Sequence, residues 1–259
     1  PVNIDTPLKA MELGIGMVHQ HFMLVDSLRV YENVILGMEP KNGIMIDKEK
    51  AIRAVEETAK KYNLKIDPMA VVGELSVSQK QKVEILKVLL RGAKLLILDE
   101  PTAGLDPKGR DDILGLVQKL HNEQGLTIIL VSHSMEDVAR YVSRLVVMNH
   151  GEKVFDGTPK EVFRHYKELE AIGLAAPQIT YVVHKLIDKG IPLDPDITTV
   201  EEARDAILKI WREKNKNGSA CTGKEQTAEI SAAGNVTDVD EEKPEETASG
   251  ATEDKKEIS

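Results

Sequence analysis

Two adjacent acids, Asp99 and Glu100, directly follow the aliphatic run 95–98 and precede Pro101. A short, unbroken apolar run bounded by turn residues is typical of a buried strand in a parallel sheet. Open α/β sheets bind ligands at the carboxyl ends of their strands. Because unpaired carboxylates are costly to keep away from water, a bound cation is their natural partner. The alternative is a core strand that ends in two surface acids.

Two further polar residues follow apolar segments. His133 comes just after residues 126–131, which we predict to be a second buried strand, and Gln20 follows a strand predicted over residues 15–19. A lone loop histidine or glutamine usually has only a structural role. The place of His133, one strand after Asp99 and Glu100, favours a functional role for it, and the spacing of Gln20 to the later motifs favours one for Gln20.

A third candidate is the run Leu75-Ser76-Val77-Ser78-Gln79, which we predict to begin a helix. A small hydroxyl residue at a helix N-terminus lets backbone N–H groups approach an anion. Ser76 and Ser78 fit that description. The alternative is that Ser76 is only an N-cap.

The elements that position these residues follow from helix-start signals and apolar periodicity. Predicted strands lie at 15–19, 95–98 and 126–131, and a hairpin joins 145–148 to 153–155. Side chains that cap helices, several of them followed by proline, predict where the helices begin: Thr6, Asp47, Asp67, Ser76, Asp106, Ser134, Thr158 and Thr199.

Composition narrows the class of protein. Hydrophobic residues make up 41% of the 259 residues and aromatic residues 3%, which suits an aliphatic α/β core. A net charge of −9 argues against nucleic acid as the main partner. A single cysteine, Cys221, excludes a disulfide framework. No apolar run approaches the ~20 residues of a membrane span.

Together these segments resemble the motifs of the ATP-binding-cassette (ABC) ATPases, and they stand in the order of that family. The stretch 15–26 resembles the Q-loop, 75–79 the signature, 95–100 the Walker B motif, 103–106 the D-loop and 132–134 the H-loop. Val77 and Ser78 stand where the family usually has two glycines.

The resemblance implies ATP and Mg²⁺ as cofactors and assigns roles to residues. Asp99 would hold Mg²⁺ through water, Glu100 would polarise the attacking water, and His133 would contact the γ-phosphate. Gln20 would touch the metal. The remaining residues would act at a dimer interface. The nucleotide of a partner would contact Ser76, Val77, Ser78 and Gln79. Asp106 would lie at the dimer seam.

The implied fold class is α/β, with a P-loop NTPase-like ABC core, a mainly parallel sheet and a helical subdomain at 27–91. Residues 1–165 would form a partial nucleotide-binding domain and 166–212 a helical extension. Residues 213–259 hold 12 acids and 6 bases and few apolar residues, so we predict a disordered tail. The implied partners are a second ABC ATPase subunit, as homodimer or heterodimer, and integral membrane transport subunits, with no nucleic acid. The chain would then lie at the cytoplasmic face of the cell membrane.

Two features depart from the family pattern. No Gly-x-x-x-x-Gly-Lys-Ser/Thr loop precedes Gln20, and a near match at 218–224 is followed by glutamate and reads as chance. Because the chain begins at Pro1, we expect a processed or incomplete product, and the implied core would be N-terminally short of a P-loop. Residues 1–103 look like ATPases of simple-sugar and nucleoside importers, whereas 104–212 look like energy-coupling-factor ATPases. We hypothesise that two genes were joined near 98–103.

Three functions are compatible with these features. The leading one is the ATP-hydrolysing subunit of a membrane importer, of the vitamin and metal type or of the sugar and nucleoside type. The second is a non-catalytic subunit that only completes the ATP site of a partner, because the P-loop is absent. The third is an ABC ATPase without a transport role.

Overall fold

A computed structural model describes residues 2–43 and 45–218. The chain divides into two units, Pro1–Ile210 and Trp211–Ser259, and only the first few residues of the second are described. The fold class is α/β, as predicted, with helices packed against a parallel sheet. No helix among the described residues is both long and apolar enough to cross a bilayer.

The described elements are ten α-helices, seven strands and one short 3₁₀ helix at Val72–Glu74. The helices are α1 (Pro7–Glu12), α2 (Val30–Ile35), α3 (Lys48–Lys61), α4 (Val77–Leu90), α5 (Pro107–Gln124), α6 (Met135–Tyr141), α7 (Pro159–Phe163), α8 (Tyr166–Ala171), α9 (Gln178–Asp188) and α10 (Val200–Gly218). The strands are β1 (Ile15–Val18), β2 (Lys41–Asn42), β3 (Met45–Ile46), β4 (Leu95–Asp99), β5 (Thr127–Val131), β6 (Leu145–Asn149) and β7 (Glu152–Gly157).

Three parallel strands form the central sheet in the order β1-β4-β5. Val18 pairs with Leu98, and Leu98 pairs with Leu130, so the three strands end at nearly the same level. The long connection from β1 to β4 ends with α4, and α5 connects β4 to β5; both are crossovers of the kind that parallel pairing requires. The carboxyl ends of all three strands therefore meet along one edge, where the predicted site residues follow them.

One face of this sheet lies in the main core. Val18, Leu96 and Leu98 are fully buried there and pack with apolar residues of α4 and α5. Gly16 lets α4 approach β1 closely, because a Cβ at that position would lie 3.0 Å from Cβ of Val88. The covered face therefore fixes α4 on the sheet.

The opposite face is open within the described residues. Met17, Ile129 and Val131 are 42%, 46% and 47% exposed, and Ile97 is half-buried between the first two in register. The prediction of strands buried on both faces was therefore wrong for residues 126–131. Side chains alternate between the two faces of a strand, and here helices cover only one of them.

The region 27–91 is mainly helical, with two differences from prediction. Strands β2 and β3 form a small hairpin that the sequence did not indicate. Asp67-Pro68 begins a turn, not a helix: the Met69 amide donates to Oδ1 of Asp67 at 2.8 Å, and the chain then forms only a 3₁₀ helix. The Asp67 side chain caps a turn here, and the residues that follow lack the apolar periodicity that would extend this turn into an α-helix.

Beyond β5 the chain forms a second core. Strands β6 and β7 pair as the predicted antiparallel hairpin, and His150 and Gly151 occupy its turn with φ of +49° and +81°. Val147, Val162 and Phe163 are buried in the cluster that this hairpin shares with α6 to α8. This cluster is separate from the main core of the sheet.

Helix α9 and the first part of α10 pack around Val183, Leu193 and Ile197 in a third, smaller cluster. Two ion pairs join this cluster to α7 and the residue that follows it: Lys160 with Glu202 at 2.6 Å, and Arg164 with Asp196. Helix α10 runs to Gly218, beyond the predicted start of the tail at 213. The rest of that predicted tail, 219–259, lies outside the described residues.

Candidate functional site

The central contact of the site joins Glu100 and His133. Nδ1 of His133 lies 2.7 Å from Oε1 of Glu100, and the Glu100 side chain is 15% exposed whereas that of His133 is 83% exposed. The two residues follow β4 and β5, which are neighbours in the sheet. The structure therefore brings these two predicted residues into contact.

Backbone bonds fix the direction of Glu100. Its φ is +45°, its amide donates to the Val131 carbonyl at 2.9 Å, and its carbonyl accepts from the Ala103 amide at 3.0 Å. Left-handed backbone is unfavourable for a residue with a Cβ. The surrounding turn therefore holds the chain at this point in a conformation that it would not adopt alone.

Asp99 and Gln20 lie at the same edge of the sheet. Asp99 is half-buried at the end of β4, and its side chain shares the open face with Ile97. Gln20 stands two residues after Val18, just as Glu100 stands two residues after Leu98, and these two strand residues are paired. Gln20 is exposed, and it follows the strand that neighbours β4 in the sheet.

The predicted signature residues lie at the N-terminus of α4. Ser76 caps the helix: its hydroxyl accepts from the Gln79 amide at 3.3 Å, and the Gln79 side chain accepts from the Ser76 amide at 3.0 Å. Ser76 and Val77 are exposed and Ser78 is half-buried. The serine cap was predicted correctly, and the amides of Ser76 and Gln79 are used in its two hydrogen bonds.

Asp106 caps α5, since its Oδ1 accepts from the Gly109 amide at 3.1 Å. One turn later, Arg110 donates to Ser134 Oγ at 2.9 Å and to Asp137 Oδ2 at 2.8 Å. The hydrogen bond to Asp137 raises the pKa of Arg110, and partial burial opposes this shift. Arg110 therefore links the start of α5 to the residue that follows His133. Sequence reasoning missed Arg110, because its partners stand 24 and 27 positions later.

The acidic edge suits a magnesium ion bound largely through water and phosphate. Magnesium is usually held by one or two carboxylates together with waters and substrate phosphates. Asp99 and Glu100 supply the carboxylates of such a site. The described residues contain no cluster of three or more His, Cys, Asp or Glu side chains that could hold a metal alone. For the phosphates, the described part of the chain supplies no glycine-rich cradle.

Comparison with known proteins decides the family. A family model described as ABC transporter matches residues 2–103, and a model described as an AAA domain matches residues 74–138. The energy-coupling factor transporter ATP-binding protein EcfA2 of Clostridium perfringens is 53% identical over 222 residues, which cover 83% of this chain and 76% of that protein. The chain belongs to the ATP-binding proteins of ABC transporters.

Two further relatives extend this family assignment. The nucleoside import ATP-binding protein NupA of Lactococcus lactis is 45% identical over 152 residues, 59% of this chain and 30% of NupA. The solved structure of cbiO1 from Clostridium perfringens, part of the ABC transporter complex cbiONQ, matches with a TM-score of 0.53 and 32% identity, covering 69% of this chain and 71% of cbiO1. Both predicted resemblances, to energy-coupling-factor and to nucleoside-importer ATPases, are confirmed for this ABC protein.

Proposed function

We propose that this ABC protein is the ATP-hydrolysing subunit of a membrane importer, of the energy-coupling-factor or nucleoside type. The observation that carries this is the 2.7 Å contact between Glu100 and His133 at the carboxyl ends of β4 and β5. Asp99 precedes Glu100 at the end of β4, and Gln20 follows the neighbouring strand β1. The family resemblance implies these four residues on one side of an ATP site.

Each residue has a proposed role when Mg-ATP is bound. The metal would neutralise charge on the phosphates. Asp99 would bind that metal through water, and Glu100 would accept a hydrogen bond from the attacking water and polarise it. His133 would stabilise charge on the transferring phosphoryl group, and Gln20 would orient water and metal. Since His133 is mostly exposed, it can leave Glu100 and turn toward a phosphate.

We propose two kinds of partner for this function. A second ABC ATPase subunit would place its nucleotide against Ser76 and its neighbours through Gln79, with Asp106 at the seam between the subunits. Integral membrane subunits would bind near the loop that follows Gln20. The chain would then lie at the cytoplasmic face of the membrane without crossing it. The exposure of Ser76 and Val77 at the N-terminus of α4 supports the first of these contacts.

The test uses the chain alone and the chain preceded by the strand, phosphate-binding loop and helix of a relative. Titration calorimetry with Mg-ATP should give weak or no binding for the chain alone, because it supplies no phosphate cradle. The extended chain should bind Mg-ATP and release phosphate. Micromolar affinity of the chain alone would contradict the expected need for a phosphate cradle. An inactive extended chain that binds Mg-ATP normally would contradict the proposed hydrolysis.

A second function, completion of a partner's ATP site without hydrolysis by this chain, is favoured by the exposed cap at Ser76. Its test mixes this chain with a complete relative whose own signature serine is replaced by arginine. If this chain supplies the signature in trans, ATP hydrolysis returns on mixing, and Ser76→Arg in this chain abolishes the gain.

A further inference from the structure

The loop after Gln20 is tied to α4 at one residue, Met23. The Met23 amide donates to Oε1 of Glu84 at 2.6 Å, and the Met23 carbonyl accepts from Nζ of Lys87 at 3.1 Å. Glu84 and Lys87 also form an ion pair at 2.7 Å, with side chains only 4% and 16% exposed. Both backbone polar groups of one loop residue are thus held by one buried pair.

Such a pair is not what packing alone would select. Removing two charges from water costs more than their attraction returns unless further hydrogen bonds satisfy them, and apolar residues of similar size often stabilise as well or better. Here the further hydrogen bonds go to the backbone of the loop at Met23. We therefore interpret the buried Glu84–Lys87 pair by its hydrogen bonds to the backbone of Met23.

The rest of the loop is held as well, but the segment that carries Gln20 is not. The Val25 amide donates to Oδ1 of buried Asn33 at 2.7 Å, and Asp26 pairs with Lys80 at 2.8 Å. Between the end of β1 and Met23, the described structure shows residues 19–22 without such side-chain ties. Gln20 thus lies on a short segment between the sheet and α4.

We propose that Glu84 and Lys87 are positioning residues for Gln20: they fix the far end of its segment to the same helix that carries Ser76 at its N-terminus. A residue pair on α4 then sets where Gln20 stands relative to the acidic edge. A partner that displaces the loop would move α4 and Ser76 with it. The importance of Gln20 and Ser76 rests on the proposed function, whereas the tie at Met23 does not.

The experiment compares two variants of the isolated full chain. Glu84→Leu/Lys87→Met replaces the buried pair by apolar residues and removes both ties to Met23. Lys80→Met is the matched control, because it removes an ion pair on the same face of α4 whose acid, Asp26, is 71% exposed. Hydrogen exchange by mass spectrometry follows the peptide covering 19–26 in each.

Exchange of this peptide should become at least tenfold faster in the double variant and stay within twofold in Lys80→Met, while peptides from β4 and α5 keep their rates. A double variant with unchanged loop exchange would overturn the proposal. If that variant does not fold, Glu84→Gln decides: it keeps the shape but weakens the acceptor for Met23, so we expect at least a threefold rise. Unchanged exchange in Glu84→Gln would overturn the proposal equally.

A second readout separates positioning from a purely structural role. A spin label at exposed position 21, in a His21→Cys/Cys221→Ser background, reports motion of the segment beside Gln20. The double variant should give a sharper, more mobile spectrum at an unchanged melting temperature, and Lys80→Met should not. A spectrum that does not change would contradict a positioning role. Neither readout needs nucleotide or a membrane subunit, so the outcome is independent of whether the proposed function holds.

Discussion

The two faces of the central sheet carry the same kind of side chain in opposite surroundings. Leu96 and Leu98 are fully buried under α4 and α5, whereas Ile129 and Val131 are nearly half exposed on the other face. The acidic residue Asp99 shares the open face. The comparison teaches that aliphatic composition marks these segments as strands, but that only the packing of other elements decides which face is core.

The largest difference between the two faces should appear in stability. Leu98→Ala removes a fully buried side chain and should lower the free energy of unfolding by about 2–5 kcal/mol. Ile129 lies on the neighbouring strand, with its side chain on the open face. Ile129→Ala should lower the free energy of unfolding by less than about 1 kcal/mol. Denaturant titration of both variants measures this. Equal losses would mean that the open face is covered in solution.

The next largest effect concerns the acids at the end of β4, in the chain extended by a phosphate-binding unit. Glu100→Gln should lower turnover more than tenfold, a loss above ~1.4 kcal/mol, and leave ATP affinity intact, since glutamine keeps the shape without the charge that polarises water. His133→Ala should behave in the same way. Retention of more than about a tenth of turnover by Glu100→Gln would refute its role as the base.

Asp99→Asn is the contrasting variant at the same strand end. It weakens the hold on the metal that bridges the phosphates, so ATP affinity and turnover should fall together. Calorimetry and phosphate release on the same samples separate the two patterns. Normal ATP affinity in Asp99→Asn would contradict the proposed metal position at Asp99, beside the open face.

A smaller effect should appear in self-association. Exposed apolar surface and an unpaired strand edge favour association. Met17→Lys/Ile129→Lys places charge on the open face and should lower the concentration-dependent mass seen by sedimentation. Thr127→Lys is the matched control, because Thr127 is exposed on β5 but already polar. If both variants associate equally, another surface drives association.

The smallest effect should come from an ion pair away from both faces, on the hairpin β6–β7. Hydrogen bonds from Arg144 and Lys153 hold the pKa of the Asp156 carboxyl well below its usual range. A lowered folded-state pKa stabilises above the unfolded value, and that contribution is lost as pH falls below about 3.9. Asp156→Asn should therefore lower the melting temperature slightly at pH 7, and the difference should shrink toward pH 3.

Local signals made much of the fold predictable. Asp47, Ser76 and Asp106 each cap the helix that was predicted to follow, because an N-cap depends on neighbours only three residues away. Gly125 ends α5 with φ of +67°, as a C′ glycine should. The aliphatic runs before Asp99 and His133 formed adjacent parallel strands, which brought the two predicted loops together.

Contacts between distant segments were not predictable in the same way. The bond of Glu84 to Met23 spans 61 positions, and its only sequence signal is the spacing of charges at 80, 84 and 87 on one helix face. The prediction of a helix after Asp67 was wrong for another reason, because the same cap residue begins turns and helices alike. The roles of the site residues themselves remain predictions that the variants above test.

The positive φ of Glu100 has a consequence for any selection that acts on stability alone. A residue with a Cβ in this conformation costs of order 1 kcal/mol or more, and glycine would relieve that cost. Glu100→Gly should therefore be among the substitutions that laboratory evolution for heat resistance finds first. It would also delete the carboxylate on which hydrolysis is proposed to depend. A library screened only for survival of heating would become enriched in heat-stable variants that do not hydrolyse ATP, unless phosphate release were screened as well.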